Sequence, residues 1–270
     1  MKKKRIYRIA VIIAAIYCLV GAGLYFLQEK IFFHPEAVAA GIRYSFPEPH
    51  TETDLTFDDE GSVHLVQFNV PDSLNKGLVL YFPGNMKNVT HYARFVPAFT
   101  KKGYAVWMPD YPGFGKSTVP LSEAALYEMS LQIYKLARTH YRPDQIIIYG
   151  KSIGTGIASQ LASVRDCRKL ILETPYNSIA SLAKPYLWMY PYSSSLLHFQ
   201  FPTCDYLLKV TAPVTVFHGT ADRLIPYSNA AMLKQAFKPG DEFITIEGGD
   251  HVNLNSYPLM QHKLDSLLMQ

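Results

Sequence analysis

The alternation of short apolar runs with helical patterns constrains the fold of this chain more than any other feature of its sequence. Apolar runs of strand length separated by helices are typical of a parallel sheet that helices cover on both faces. The strand candidates are residues 62–70, 77–83, 104–109, 145–150, 169–174, 214–219 and 242–247. The helix candidates are residues near 89–101, 121–139, 153–164, 228–237 and 257–269. Right-handed crossovers between such strands predict an α/β fold with a doubly wound, mostly parallel sheet.

The N-terminal segment differs from the rest of the chain in composition. Residues 9–27 contain no charged residue and, at a helical rise of about 1.5 Å per residue, would span roughly 28 Å, close to the thickness of a bilayer core. Basic residues precede this run, so the positive-inside rule predicts a cytoplasmic tail at 1–8 and a transmembrane signal anchor at 9–27. The alternative is a cleaved signal peptide with Val20 and Ala22 at the cleavage site. Both interpretations place the following domain on the exoplasmic or periplasmic side.

The length of the chain limits its domain organisation. At 270 residues it can form one α/β domain with a full core, and it is too short for two large domains. Residues 28–52 contain Pro35, Pro47 and Pro49 and are predicted to form an irregular lead-in packed on the domain. We therefore expect a single α/β domain over residues 53–270.

The net charge of +4 belongs to the N-terminus rather than to the domain. Lys2, Lys3, Lys4, Arg5 and Arg8 are five of the 26 basic residues, which leaves 21 against 22 acidic residues in the remainder. A near-neutral domain lacks the basic face that nucleic-acid binding requires, so we expect no nucleic-acid partner. The sequence contains no pattern of metal ligands, and neither a metal nor another cofactor is expected.

The pentapeptide Gly150–Gly154 (GKSIG) ends one strand candidate, and a helical pattern begins directly after it. A G-x-S-x-G sequence between strand and helix holds its serine in a sharp turn, with the hydroxyl projecting from the sheet edge. We therefore predict Ser152 as a catalytic nucleophile. A phosphate-binding loop is excluded, because both GKS sequences of the chain lack the required upstream glycine, where Asp110 and Gln145 stand.

A serine nucleophile needs a base to accept its proton, and the base needs a carboxylate that orients it. In folds of this kind the chain order is serine, acid, histidine. His251 lies between the last strand candidate and the last helix, and Asp222 follows the penultimate strand, so we predict them as base and acid. The residues ranked below them are the histidines His198 and His218 and the acids Asp250 and Glu173.

The negative charge that develops on the carbonyl oxygen during acyl transfer requires preorganised N–H donors. One donor is expected to be the backbone N–H of Ile153, the residue after the nucleophile. The second is expected from the loop at 83–86 (PGNM), and we assign it to the backbone N–H of Asn85.

With these residues identified, the chain resembles the α/β-hydrolase superfamily, and within it the small, membrane-anchored single-domain hydrolases related to the serine-aminopeptidase-like group. The resemblance covers almost the whole chain and is carried, in family order, by KIFFHP, LVLYFPGN, MPDYPGFGKS, IIIYGKSIGTGIA, ILETPYNSI, APVTVFHGTADRLIP and GGDHVN. The family usually has His-Gly in the oxyanion loop, where this chain has Pro83 and Gly84. The resemblance implies an α/β-hydrolase fold and hydrolysis of ester, thioester or amide bonds.

The segment from Tyr176 to Lys209 is longer than a crossover helix requires and is rich in aromatic residues, so it is predicted to form a cap at about 176–209. Apolar pockets favour apolar substrates. The expected function is that of a carboxylesterase-like or lipase-like serine hydrolase, which cleaves a small-molecule apolar acyl substrate through an acyl-enzyme. The alternatives are a non-catalytic binding protein with the same fold and an aminopeptidase-like amidase.

Overall fold

The computed structural model describes residues 2–39, 41–57, 61–185 and 196–269. The helices are α1 (Lys2–Phe26), α2 (Gln28–Phe32), α3 (Val89–Tyr92), α4 (Pro97–Thr100), α5 (Glu123–Ala137), α6 (Gly154–Val164), α7 (Ile179–Ala183), α8 (Thr203–Leu207), α9 (Tyr227–Ala231) and α10 (Pro258–Met269). The strands are β1 (His34–Pro35), β2 (His50–Phe57), β3 (Gly61–Phe68), β4 (Gly77–Phe82), β5 (Met86–Lys87), β6 (Tyr104–Pro109), β7 (Ile146–Lys151), β8 (Lys169–Glu173), β9 (Val214–Gly219) and β10 (Glu242–Ile246). Short 3-10 helices lie at Asp72–Leu74, Ala93–Phe95, Pro143–Gln145, Met232–Ala236 and Leu254–Ser256.

The strands of the main sheet lie in the order β10-β9-β8-β7-β4-β6-β3-β2, and β1 pairs separately with β5. Six strands, from β10 to β6, run parallel to one another, while β3 is antiparallel to both β6 and β2. The predicted doubly wound, mostly parallel sheet is therefore confirmed. Each predicted strand is present, with its ends within two residues of the expected positions.

Strand β4 shows why the central strands have continuous runs of apolar residues in the sequence. Every residue of the strand is buried. Leu78, Leu80 and Phe82 face one core cluster, and Val79 and Tyr81 face the other. Because successive side chains of a strand point to opposite faces, a strand covered on both sides must be apolar at every position.

Helix α5 illustrates how the helices cover one face of the sheet. The Ser122 side chain accepts a hydrogen bond from the Ala125 amide and so caps the start of the helix. Leu126, Met129 and Ile133 recur at helical spacing and are buried in the same cluster as Leu80. Helices α6 and α8 pack on this face as well, and α3, α4 and α10 contribute to the cluster on the opposite face.

The structure differs from the sequence-based expectation at three kinds of element. Strand β2 is an edge strand with alternating exposed residues, so it contains no apolar run that would have predicted it. Strands β1 and β5 have two residues each, which is too short for a recognisable pattern. The helix predicted near 89–101 consists of three short pieces, and the last begins at Pro97, whose ring nitrogen cannot donate a hydrogen bond to the preceding turn.

Helix α1 contains the predicted anchor. Residues Lys3–Phe26 are long and apolar enough to cross a membrane, with a mean hydropathy of 2.4 in their most apolar window and none of that window buried. The helix is therefore a candidate transmembrane span.

Part of the predicted cap, with Tyr186, Trp188, Tyr190 and Tyr192, lies outside the described residues.

Candidate active site

The three residues predicted as nucleophile, acid and base lie at the same edge of the sheet. Ser152 directly follows β7, Asp222 follows β9, and His251 follows β10. These strands are parallel, so their carboxyl ends meet at one edge, which is where ligands bind in open α/β sheets.

The turn that carries Ser152 is sharply bent. Ser152 has a φ of 53°, in the left-handed region that non-glycine residues rarely adopt. Its backbone N–H donates to the Glu173 carbonyl oxygen over 2.9 Å. A Cβ atom at Gly150 would lie 2.6 Å from the Gly154 carbonyl oxygen, and one at Gly154 would lie 2.2 Å from that of Phe82. The two glycines of GKSIG are therefore required because strand and helix backbones are in contact.

Ser152, His251 and Asp222 form a continuous chain of hydrogen bonds. Ser152 Oγ lies 2.8 Å from His251 Nε2, and His251 Nδ1 lies 2.8 Å from Asp222 Oδ2. The other Asp222 oxygen, Oδ1, accepts from the backbone N–H groups of Leu224 at 2.9 Å and Ile225 at 2.8 Å. If Nδ1 carries its proton toward Asp222, Nε2 presents a lone pair to the serine hydroxyl, which is the arrangement a general base needs.

The environment of Asp222 favours its charged form. Burial by itself raises the pKa of this carboxyl, but the hydrogen bonds from His251 and the Ile225 backbone and the nearby imidazoles outweigh burial and lower the pKa below its ordinary value. Asp222 is therefore ionised at neutral pH. A buried carboxylate in this position can fix the orientation of His251 and stabilise its protonated form.

The backbone N–H groups of Ile153 and Asn85 have no hydrogen-bond acceptor among the residues that the structure describes. The Asn85 loop is nevertheless well supported. Tyr111 donates its hydroxyl proton to the Pro83 carbonyl at 2.6 Å, and the Asn85 side-chain amide donates to the Phe32 carbonyl at 2.6 Å. Neither of the two predicted oxyanion donors therefore has a competing acceptor in the described part of the chain.

The lower-ranked acids make other contacts. Asp250 Oδ1 accepts from the backbone N–H groups of Val252 and Asn253 and so caps its own turn. Glu173 forms an ion pair with Lys151. Of the three acids considered, Asp222 is the one that contacts the imidazole.

The lower-ranked histidines are also explained by other contacts. The His198 backbone bonds to Gln28, and its ring packs against Tyr25. His218 is fully buried, with Nε2 3.0 Å from the Ile225 carbonyl oxygen and 3.7 Å from Asp222 Oδ2.

Sequence reasoning missed a buried polar cluster behind the nucleophile. Lys151 and Glu173 form a short ion pair, and their side chains are 6% and 0% exposed. Glu173 also accepts from the Tyr149 hydroxyl at 2.5 Å and from the Asn255 amide at 2.9 Å. Burial and the neighbouring Glu173 charge raise the pKa of Tyr149 well above its ordinary value, so its hydroxyl stays protonated and donates. A lysine inside GKSIG was the one available signal, because a lysine at the end of a buried strand requires a buried partner.

No group of three or more His, Cys, Asp or Glu side chains is arranged to hold a metal ion in the described part of the chain. A surface cavity of about 480 Å³ is lined by Tyr134, Arg138, Arg165 and Lys209 among others, at the opposite edge of the sheet from Ser152. Neither observation adds a group to the Ser152 site.

The chain is similar in sequence to known α/β hydrolases. Residues 77–200 match the family described as having the alpha/beta hydrolase fold. Alpha/beta hydrolase domain-containing protein 17C of Xenopus tropicalis is 30% identical over 194 residues, which cover 70% of this chain and 61% of that protein. The human protein of the same name is 33% identical over 162 residues, which cover 59% of this chain and 47% of that protein. The chain thus spans about half to three-fifths of the length of these relatives.

The similarity to solved structures extends over most of the chain. The Pyrococcus furiosus esterase Pf2001 superimposes with a TM-score of 0.67 at 17% identity, over 88% of this chain and 97% of the esterase. Est1E from Butyrivibrio proteoclasticus, solved with bound ferulic acid, gives a TM-score of 0.60 at 16% identity, over 80% of this chain and 98% of Est1E. At these identities the similarity shows the α/β-hydrolase fold.

His218 should make the stability of the fold depend on pH. Burial lowers its pKa, against the opposing effects of the Ile225 carbonyl and Asp222, so the folded state keeps this imidazole neutral. Below about pH 6.5 the unfolded chain takes up a proton that the folded chain does not, and stability is lost as the pH falls. We expect His218→Gln to reduce the decrease in Tm between about pH 7.5 and 5.5. His262→Gln, at an exposed position, is the control. An unchanged slope in His218→Gln would contradict the assignment.

Proposed function

This chain belongs to the α/β-hydrolase superfamily, and from that premise we propose that it is a serine hydrolase with Ser152 as nucleophile, His251 as base and Asp222 as orienting acid. The observation that carries the proposal is the hydrogen-bond chain from Ser152 Oγ through both His251 nitrogens to Asp222, which starts at a serine held at positive φ. A serine in an ordinary surface turn is not expected to be hydrogen-bonded to a histidine that a buried carboxylate orients.

The geometry supports a two-step reaction. As Ser152 Oγ attacks a carbonyl carbon, its proton passes to His251 Nε2, and the resulting imidazolium is stabilised by Asp222. In the proposed mechanism the backbone N–H groups of Asn85 and Ile153 bind the carbonyl oxygen as it becomes negative. His251 returns the proton to the leaving group, which leaves an acyl-enzyme. Water, activated by the same imidazole, then hydrolyses the acyl-enzyme and regenerates Ser152.

The side chains around the nucleophile support an apolar acyl substrate. The Tyr176 hydroxyl donates to the Ile153 carbonyl at 3.2 Å. Phe199 packs on Phe33 with ring centroids 4.7 Å apart and stacks on Phe201 at 6.1 Å. All four aromatic residues are buried in the core, within the proposed cap and the lead-in, and Tyr176 is bonded to the residue after Ser152. We infer from this apolar packing beside the turn that carboxylesters of apolar acids are preferred over charged peptides.

Loss of any member of the triad should abolish activity. Ser152→Ala, His251→Ala and Asp222→Ala are each expected to lower kcat by about ten-thousandfold or more, and double variants should lose little further, because the three residues act as a unit. The measurement is ester hydrolysis together with labelling by a fluorophosphonate. Ser159→Ala is the matched control. It removes a buried hydroxyl from α6, the helix that begins just after Ser152, and this hydroxyl has no hydrogen-bond partner among the described residues. Full activity in His251→Ala would disprove the mechanism.

The acyl specificity is tested with p-nitrophenyl esters of increasing chain length. Each methylene that becomes buried should improve kcat/KM by up to about fourfold, corresponding to about 0.8 kcal/mol, until the available space is filled. Aminoacyl p-nitroanilides, measured in parallel, represent the amidase alternative and should be poorer substrates. A profile that falls from acetate onward, or faster cleavage of the anilides, would contradict an apolar ester substrate.

We further propose that α1 anchors the protein with its catalytic domain on the exoplasmic or periplasmic side. The basis is the basic cluster that precedes the apolar helix. An epitope tag placed after Gln270 should be removed by protease added to intact spheroplasts or cells, while a cytosolic marker protein survives. Protection of the tag until the membrane is permeabilised would reverse the topology.

A further inference from the structure

The residues that follow α1 are tied to the active-site region. Gln28, at the start of α2, is a polar side chain with only 6% exposure. Its amide nitrogen donates to the Leu196 carbonyl at 2.9 Å, and its amide oxygen accepts from the His198 backbone at 2.8 Å. The Tyr25 ring packs edge-on against His198 with centroids 4.7 Å apart. The end of the candidate span and the start of α2 therefore contact residues 196–198 of the proposed cap.

The same end of the span also holds the oxyanion loop. The Asn85 side chain donates to the Phe32 carbonyl at 2.6 Å, and the Asn85 carbonyl accepts from the His34 backbone at 2.9 Å. Phe32 is the last of the five residues of α2 and lies five positions after Leu27, the last residue of the apolar run, which corresponds to about 8 Å of helix. The active-site edge of the sheet therefore lies close to the surface of any membrane that α1 spans.

Large apolar side chains are exposed along this edge. Met86, Leu224 and Val252 are 40%, 64% and 64% exposed, and each follows a proposed catalytic or oxyanion residue by one or two positions. Their loops come after the carboxyl ends of β4, β9 and β10, on both sides of the nucleophile strand β7. The name apolar rim is used for these three residues together with three further exposed apolar residues, Leu27 and Ile31 in the segment after α1 and Leu196 in the proposed cap.

Single exposed apolar residues are common on proteins and require no explanation. The apolar rim is different because its members come from five separate segments, and because two of its residues directly follow α1, the candidate transmembrane span, whose end is bonded to the Asn85 loop and to the proposed cap. Apolar surface of this kind, next to a membrane span, is suited to the interface of the same bilayer.

We propose that the apolar rim rests in the interface of the membrane that α1 spans, and that the substrate is an acyl ester lipid dissolved in that membrane. The inference rests on the proposed function and adds the source of the substrate to it. The ester bond of the lipid would be broken as its acyl group passes to Ser152 Oγ, and the alcohol would leave with the proton from His251. One water molecule then releases the fatty acid.

The opposite edge of the sheet offers a matched control position. Leu74 is 62% exposed, almost the same as Val252, and lies before the amino end of β4. Substitutions at Leu74 therefore change an equally exposed apolar side chain at a place that would face away from the membrane.

The position of the rim is tested by fluorescence quenching, which does not depend on activity. An environment-sensitive fluorophore is attached to Val252→Cys or Leu74→Cys in the full chain carrying Cys18→Ala, reconstituted in phosphatidylcholine vesicles that contain brominated lipid. The chain with only Cys18→Ala gives the background labelling of Cys167 and Cys204. Quenching at position 252 but not at 74 is expected. Absence of quenching at 252, or equal quenching at both positions, would overturn the proposal.

The source of the substrate is tested by comparing two rates in the same vesicles. One substrate is a fluorogenic long-chain acyl ester carried in the bilayer, and the other is water-soluble p-nitrophenyl butyrate. Val252→Glu should lower the ratio of the bilayer rate to the soluble rate by about tenfold, because a carboxylate resists entry into the interface, and Leu74→Glu should leave it unchanged. An unchanged ratio in Val252→Glu would overturn the proposal, while continued hydrolysis of the soluble ester would leave the serine hydrolase assignment intact.

Discussion

The sharp turn between β7 and α6 is the constraint on which the rest of the site depends. A left-handed conformation costs a residue other than glycine roughly 1 kcal/mol or more, so Ser152 keeps it only because its neighbours enforce it. The Ser152 amide is bonded to β8, and the backbone of α6 contacts β7 at Gly150 and the end of β4 at Gly154. The backbone therefore sets the direction of the hydroxyl. The acid and base need only reach this fixed point, which the parallel strands β9 and β10 allow.

The ion pair of Lys151 and Glu173 shows how the turn is joined to the base. Removing two charges from water costs several kcal/mol per ion, so a buried pair of this kind contributes little net stability. Its effect is on position, since Lys151 adjoins the nucleophile and Glu173 also binds the amide of Asn255, four residues after His251. The cluster thus connects β7, β8 and the histidine loop through hydrogen bonds between buried polar groups.

The central strands could be predicted because burial on both faces favours apolar residues at nearly every position. Their parallel pairing follows from the helices between them. Strand β2 could not be predicted in this way, because it lies at the edge of the sheet and several of its side chains are exposed to water, so it contains no apolar run. Ser152, Asp222 and His251 were found from their places after strands, and the structure brings them together. The pairing of Lys151 with Glu173 could not be predicted in this way, because the two residues are remote in sequence and come into contact only in the fold. The same holds for the contact between Glu173 and Asn255.

The oxyanion loop depends on parts of the chain that its own sequence does not reveal. Pro83 stands where the family usually has histidine, and the loop is held from outside instead. The Tyr111 hydroxyl binds the Pro83 carbonyl, the Tyr92 hydroxyl accepts from the Met86 amide at 3.2 Å, and Asn85 is bonded to the segment after α1. Preorganised donors stabilise a developing charge without reorganising during the reaction, so in the proposed mechanism these contacts would serve the chemistry as well as folding. The segment after α1 is therefore part of the support of the candidate active site, because Phe32 and His34 are bonded to Asn85.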